Sequence, residues 1–536
     1  MSPVQTKKLN PSKAFCIFNR QRKKSTKLLA ACFIVPTMDE RNQEDKKYLD
    51  STAEKSVDVG VSESQDYSPT PKGWLGKIAS WGIELRGVTP VPLEERKDKR
   101  FINVFFVWFT MSTNLLPIIT GMVGTLIFGL SLRDCSLLIL FFSLLTTTPA
   151  AYFSTFGART GLRQMLHARF TFGYYLISII VLLNLATIAG FGVIDCVLGG
   201  STLAAVSSGK IDSTVGIVII AIVGMIISFG GYRVLHQYER YSWLFALIAI
   251  TIATGTGGKE LFNQVEQPAP AAATIVSYGG VIAGFLIPWA AMAADFSVYC
   301  DTSVSTLRIF CYTYAGLFFP TVPLMVLGAA IGGATPNVPD WNEGYELYSV
   351  GGVLQAMLFP AKGFGRFVAV LLSLSVIGNL SAAMYSISLN FQLLLPFLIK
   401  VPRVVFSVVY TCVAIPVAIF AAKSFFASLE NFIYLIAYWS AAFVAVVSME
   451  HLVFKKRDHS AYDPTAYNEP SRLPTGIAAI GAMGLSFGLA VPCMSQVWYT
   501  GPIAETTGDI GFEVALVLAS LLYIPLRFIE LKIRKV

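Results

Sequence analysis

The chain has 536 residues, 54% of them hydrophobic and only 14% charged, where a soluble domain carries roughly 25% charged residues. That much apolar surface cannot be covered by a water-soluble fold, so a soluble globular protein is excluded. The formal net charge of +8 does not indicate nucleic acid, because the basic residues lie in the N-terminal tail and between apolar runs, as at a cytoplasmic membrane face.

Charges crowd into residues 1 to 100, which are expected to form a cytosolic, largely disordered tail. From Phe101 they retreat to short clusters, so residues 101 to 536 are expected to be the transmembrane domain. The first 37 residues hold no Asp or Glu but eight Lys and Arg, and an acidic stretch opens at Met38. They read as an upstream extension of the natural start, with a mitochondrial transit peptide as the alternative.

A helix needs about 20 apolar residues to span a bilayer. Spans are predicted at 101–130, 135–157, 173–203, 214–232, 239–257 and 273–299, then at 309–333, 364–389, 403–422, 431–454, 475–498 and 511–531. Lys and Arg gather after the even-numbered spans, at Arg159, Arg163, Arg169, Arg233, Arg240, Arg308 and the Lys455 to Arg457 run, and are sparse after the odd ones. Both termini are therefore expected in the cytosol. The cysteines show no close pair and the four histidines are scattered, so no disulfide framework, metal site or other cofactor is indicated.

Irregular backbone at membrane depth is tolerated only where protein or a water-filled cavity satisfies its polar groups. The first predicted span is interrupted by Ser112, Thr113, Asn114, Pro117 and Gly121, and the sixth by Gly279, Gly280, Gly284, Pro288 and Trp289 ahead of Asp295. Each alone reads as a proline kink or a packing face. Together, five spans apart, they point to a five-plus-five inverted repeat with a substrate site at the midplane between them. The expected fold class is an all-α integral membrane protein of about twelve transmembrane helices, the last two outside the repeat.

Ionisable and amide side chains inside spans are costly and mark pathways. Asn114, Asn184, Asp195, Glu239, Asp295, Asn379 and Asn390 are such residues. Asp195 lies in the apolar run from Ile188 to Leu198 with no cation beside it, a candidate proton carrier or substrate acceptor if it is not a helix-end aspartate. Glu239, between Arg233 and Arg240, fits an interfacial ion pair as well as a transport role. Asp295 fits a helix-end cap or a gate as well as a substrate contact. Trp289 follows Pro288 and offers the flat wall on which a planar ligand stacks, or simply packs. No nucleophile and base pair suggests an enzyme.

The run Gly157-Ala158-Arg159-Thr160-Gly161-Leu162-Arg163-Gln164-Met165, followed by Arg169, Phe170, Phe172, Gly173 and Tyr174, closely resembles the loop between helices 2 and 3 of fungal purine-cytosine permeases of the nucleobase cation symporter family. FGLSLRD at 128–134, the Gly199 and Gly200 pair, ADFSVY at 294–299 and MYS at 384–386 extend the match over essentially all of residues 80–460. The resemblance implies a proton symporter for cytosine, adenine, guanine or hypoxanthine, whose relatives carry uracil, allantoin, thiamine or vitamin B6 compounds. It puts Trp289 at the family's base-stacking tryptophan and Glu239 at an acidic residue needed for transport.

This chain departs from the family in two places. Where helix 3 usually shows Trp and, four residues later, Asn, it has Phe191 and Asp195; where helix 8 usually reads Asn-Asn-x-Pro-Asn, it has Gly378, Asn379, Leu380, Ser381 and Ala382. On this reading Trp289 and Phe191 sandwich the ring, Asp195 and Asn379 address its edge, and Ser112, Thr113 and Asn114 line the break in helix 1. Glu239 and Asp295 serve transport or gating. An ionised Asp only accepts hydrogen bonds where an Asn also donates, which favours a ligand rich in N–H donors. The rival reading is a nutrient receptor on the same fold that binds without transporting.

Overall fold

The computed structural model describes residues 89–207, 210–395, 397–398 and 401–534. The readings made for residues 1–37, and most of the expected tail, lie outside the described residues. With no water at membrane depth to satisfy backbone N–H and C=O groups, apolar runs close their hydrogen bonds internally as helices. In chain order these are α1 (Phe101–Ser112), α2 (Leu115–Leu126), α3 (Leu132–Thr160), α4 (Gln164–Phe172), α5 (Ile177–Val206), α6 (Ser213–Phe229), α7 (Gly231–Gly257) and α8 (Ala272–Leu286). There follow α9 (Thr306–Ala334), α10 (Pro339–Leu358), α11 (Lys362–Ser375), α12 (Ile377–Leu394), α13 (Arg403–Ala421), α14 (Phe425–Met449), α15 (Ile477–Ala490) and α16 (Gly511–Arg534). A two-stranded ribbon, β1 (Ser495–Gln496) and β2 (Tyr499–Thr500), precedes α16.

Among the described residues, eight helical stretches are long and apolar enough to cross a membrane, and the bent pair α1 and α2 makes a ninth. Two of the eight, Pro339–Leu394 and Arg403–Phe454, run through successive helices, and α6 and α15 are apolar but shorter. Taken element by element, the twelve expected spans are present: α1 with α2, α3, α5, α6, α7, α8, α9, α11 with α12, α13, α14, α15 and α16. Leu145, Leu182, Phe319, Val413 and Phe528 are exposed on this bundle, as lipid-facing side chains are.

The breaks fall where the inverted repeat requires them. The α1 and α2 segments meet at 51°, and α8 gives way to two 3-10 turns, Ile287–Ala291 and Ala293–Phe296. Helix α2 lies against α9 so closely that a Cβ at Gly121 would stand 1.8 Å from the Met325 carbonyl oxygen, and one at Gly328 1.8 Å from that of Ile118. Small residues permit this approach, which is how helices gain packing energy where lipid supplies no hydrophobic drive. Helices α15 and α16 pack on each other, and α16 packs on α14.

Three features depart from the expected elements. The loop after the second span holds α4, the loop before the eighth holds α10, and the eighth span is itself interrupted at Val376. Apolar run length is blind to the first two, because α10 carries Asp340, Glu343 and Glu346 and α4 is only nine residues long.

Candidate functional site

The break in the first span is built by Asn114. Its backbone is extended (φ −153°, ψ −171°) and it caps α2, with Oδ1 accepting from Leu116 N at 2.7 Å while Nδ2 donates to Met111 O at 2.7 Å. Pro117 is tolerated because its missing N–H falls in the first turn of α2. Thr113 Oγ1 donates back to Phe109 O. Both polar ends of Asn114 are thus spent on the backbone they interrupt.

The sixth span breaks for a different reason. Pro288 has no N–H to continue the ladder of α8, so the chain tightens into Ile287–Ala291 and then leaves helical geometry at Met292 (φ −135°, ψ 2°). That irregular turn carries Trp289 to α5, an unbroken helix on which Phe191 and Asp195 stand one turn apart and hence on one face.

The Phe191 and Trp289 rings lie nearly parallel, 17° apart with centroids at 6.0 Å. Trp108 meets the edge of Trp289 at 5.7 Å, and Phe432 and Phe285 meet Phe191 at 5.3 and 6.3 Å. Such edge-to-face neighbours hold an aromatic ring in orientation. A narrow cavity with room for about one water molecule lies here, lined by Thr187, Phe191, Trp289, Met292, Asn379 and Ala383 among others. The Thr187 hydroxyl is engaged, donating to Leu183 O at 3.0 Å and accepting from Trp439 Nε1 at 2.9 Å.

Behind this cavity Asn379 Nδ2 donates to Asp195 Oδ2 at 2.8 Å, joining α12 to α5. Both residues are buried, Asp195 completely, and Asp195 lies within α5 rather than at either of its ends. Among the described residues, Asp195 Oδ1, Asn379 Oδ1 and Trp289 Nε1 are buried polar atoms without a hydrogen-bond partner. Nearly all buried polar atoms in folded proteins are paired, so two orphans on the cavity lining and a third directly behind it mark a polar site.

A second amide pair lies on the same helices. Asn184 Nδ2 donates to Asn390 Oδ1 at 3.1 Å, and Asn390 Nδ2 to Ser386 O at 2.8 Å. Asp295 stands apart from the ring cavity. Its Oδ1 accepts from Gln164 N at 2.8 Å, capping α4, while Gln164 Oε1 accepts from Ala294 N at 3.2 Å. Of the two roles read for Asp295 in the sequence, the cap has a geometry: it ties the loop after the second span to the broken sixth. Nearby on α12, Tyr385 has the guanidinium of Arg163 at 5.6 Å and that of Arg403 at 4.7 Å over its ring, a contact no sequence pattern announced.

The structure thus brings Phe191, Trp289, Asp195 and Asn379 together and leaves the others elsewhere. Ser112, Thr113 and Asn114 do not line the ring cavity; Thr113 faces a separate one with Thr110 and Ser375. Glu239 lies in α7, its side chain outside the described residues.

Comparison with known proteins gives a consistent picture. A family model described as permease for cytosine/purines, uracil, thiamine, allantoin matches residues 90–514. The chain is 34% identical over 492 residues to the purine-cytosine permease fcyB of Emericella nidulans, covering 90% of this chain and 96% of that one. It is 35% identical over 477 residues to the purine-cytosine permease FCY2 of Saccharomyces cerevisiae, covering 86% and 89%. The vitamin B6 transporter TPN1 of the same yeast is 26% identical over 551 residues, covering 90% and 95%. Among solved structures, Mhp1, a nucleobase-cation-symport-1 family transporter in a closed conformation with bromovinylhydantoin bound, has the same fold, with a TM-score of 0.64 at 16% identity over 83% of this chain and 95% of that one. Matched over most of its length in sequence and in fold, the chain belongs to the purine-cytosine permease family and is a multi-pass membrane transporter.

Proposed function

We propose that this permease imports a small planar nitrogen heterocycle, a purine or cytosine-type nucleobase, together with a proton, across the plasma membrane with both termini in the cytosol. The observation that carries the reading is the near-parallel pair of Phe191 and Trp289 at 6.0 Å beside three unpartnered buried polar atoms. A flat ring held between two others needs roughly 3.5 Å on each side. Binding would therefore spread the pair by about 1 Å from 6.0 Å. Because Phe191 rides on the continuous α5 and Trp289 on the broken sixth span, that spreading couples ligand to helix position, which alternating access demands. Asp195 is the proposed proton acceptor, and Glu239 is kept as a transport residue and Asp295 as part of a gate.

A competition series in a strain lacking its own nucleobase permeases tests this, with labelled adenine as substrate and the variants Trp289→Ala and Trp289→Phe. Stacking on a base is worth roughly 1 to 3 kcal/mol, about 5- to 150-fold in affinity. Trp289→Ala is expected to lose that much and Trp289→Phe to keep a weakened uptake. Unaltered affinity in the Ala variant would place the ligand elsewhere. A vitamin-type heterocycle is the second reading, favoured by the 26% identity to a vitamin B6 transporter. Competition by pyridoxine and not by nucleobases would select it, and binding without accumulation would select a receptor.

A further inference from the structure

Among the described residues Asn379 is the one amide lining the ring cavity, and its orientation is set from behind. A carboxylate offers only acceptors, so as a carboxylate Asp195 requires the NH₂ of Asn379, and the 2.8 Å bond from Nδ2 to Oδ2 is that contact. The amide oxygen is left as the end without a partner among the described residues. An asparagine at 195 could meet Asn379 in either orientation, because each amide both donates and accepts. With aspartate there the ambiguity is gone. The other unpartnered polar atom on the lining, Trp289 Nε1, belongs to the ring wall.

We infer that Asp195 is a positioning residue for specificity: it holds Asn379 with its oxygen as the free end, so that the site selects heterocycles carrying an exocyclic amino group over their carbonyl counterparts. This rests on the proposed nucleobase reading and sharpens it. An amino group brings hydrogens to the Asn379 oxygen. A ring carbonyl in its place sets acceptor against acceptor in a buried site. A buried mismatch of this kind typically costs about tenfold in affinity or more. The contact is made by Asn379; Asp195, bonded to it but not part of the lining, acts only through it.

Two pairs of bases of nearly equal shape read this out: cytosine against uracil, and adenine against hypoxanthine. Competition binding to the purified full-length protein is measured at pH 8 for the wild type and for Asp195→Asn. The wild type is expected to prefer the amino member of each pair by about tenfold or more. Asp195→Asn, freeing the Asn379 amide to turn, is expected to bring both ratios within about threefold. A purely structural role for Asp195 would weaken all four bases alike and leave the ratios unmoved, and that result overturns the inference. So does a wild type that favours uracil and hypoxanthine or does not discriminate, whatever the variant does. Binding of none of the four bases to the wild type overturns the nucleobase reading itself, whereas binding without the expected ratios leaves that reading standing and removes only this one.

Discussion

His167 is fully enclosed, its ring stacked 4.5 Å from Phe156 and tilted against Tyr462 at 4.3 Å, with His451 and His459 4.7 Å apart alongside. Burial first, then positive charge at His451, His459 and Lys455, holds it well below the usual imidazole range. Neither ring nitrogen has a partner among the described residues. A depressed folded-state value means that the neutral ring contributes stability above the unfolded value of 6.5. That contribution is lost as pH falls toward the folded value, by about 1.4 kcal/mol per pH unit. Melting temperature in detergent is expected to fall between pH 6.5 and 5, and His167→Phe, which keeps a ring for the stack, to remove one proton's share of that slope. An unchanged slope in the variant would mean that the acid sensitivity lies elsewhere. In the sequence the histidines are merely scattered, because 167, 451 and 459 meet only in the fold. Trp289, Asp195 and Asn379 are legible for the opposite reason, since a polar group in an apolar run and an aromatic beside a helix-breaking proline betray themselves without a neighbour; Phe191 is picked out only by the family resemblance. Asn114 had the same signature for a different cause, since a cap and a ligand contact draw on the same side chain.

Among the helices, α14 and α16 are locked by a buried ionic cluster. Arg527 reaches both carboxylate oxygens of Glu450 at 3.1 Å and Glu530 at 2.9 Å, and the Tyr523 hydroxyl donates to Glu450 at 2.7 Å. The side chain of Glu450 is fully buried and that of Arg527 only 7% exposed. Removing one partner strands the other charge, at a cost of about 3–5 kcal/mol, whereas replacing both with apolar groups of similar volume is often close to neutral. Arg527→Met is therefore expected to lower the melting temperature sharply, and Glu450→Leu with Arg527→Met to be less destabilised than the single variant. A double variant as unstable as the single one would mean that the pair is not the lock. The sequence made the long helices easy to find, since each is an apolar run near the bilayer length. It hid the interruption at Val376, because Gly378 and Asn379 mark a polar site without themselves breaking a helix, and it hid α10, whose charges mask its helical character.

At the scale of the whole molecule, the described residues ahead of Phe101 tie the start of the first span to the bundle. Residues 89–100 carry a short 3-10 turn, Leu93–Glu95, and lie against the bundle. Arg96 donates from Nε to Val91 O at 2.8 Å and from Nη2 to Thr160 O at 3.0 Å. It thereby satisfies a carbonyl that α3 leaves open at its C-terminus, where a cation is also favoured by the helix dipole. The helix ends there because Gly161 takes a left-handed conformation (φ 68°), and a Cβ at that position would stand 1.9 Å from Arg96 Nη2. A second tie joins Asp98 N to Tyr299 O at 3.1 Å and Asp301 N to Asp98 O at 2.9 Å, so the segment touches the end of the second span and the stretch that follows the broken sixth. The family match likewise begins at residue 90. The residues before Lys77 lack an apolar periodicity that could dock on a bundle. A chain shortened to begin at Lys77 is therefore expected to keep the uptake rate and melting temperature of the full chain. One shortened past Arg100 is expected to lose stability, with the Thr160 carbonyl deprived of its donor and the contact to Tyr299 broken. Arg96→Ala is expected to reproduce part of that loss, about 1 to 3 kcal/mol for leaving a buried acceptor unsatisfied. Uptake and thermal melting of the three forms decide it: equal stability in all three would show the segment to be a passive part of the tail, and lost uptake in the Lys77 form would give the residues before it a role in transport or delivery.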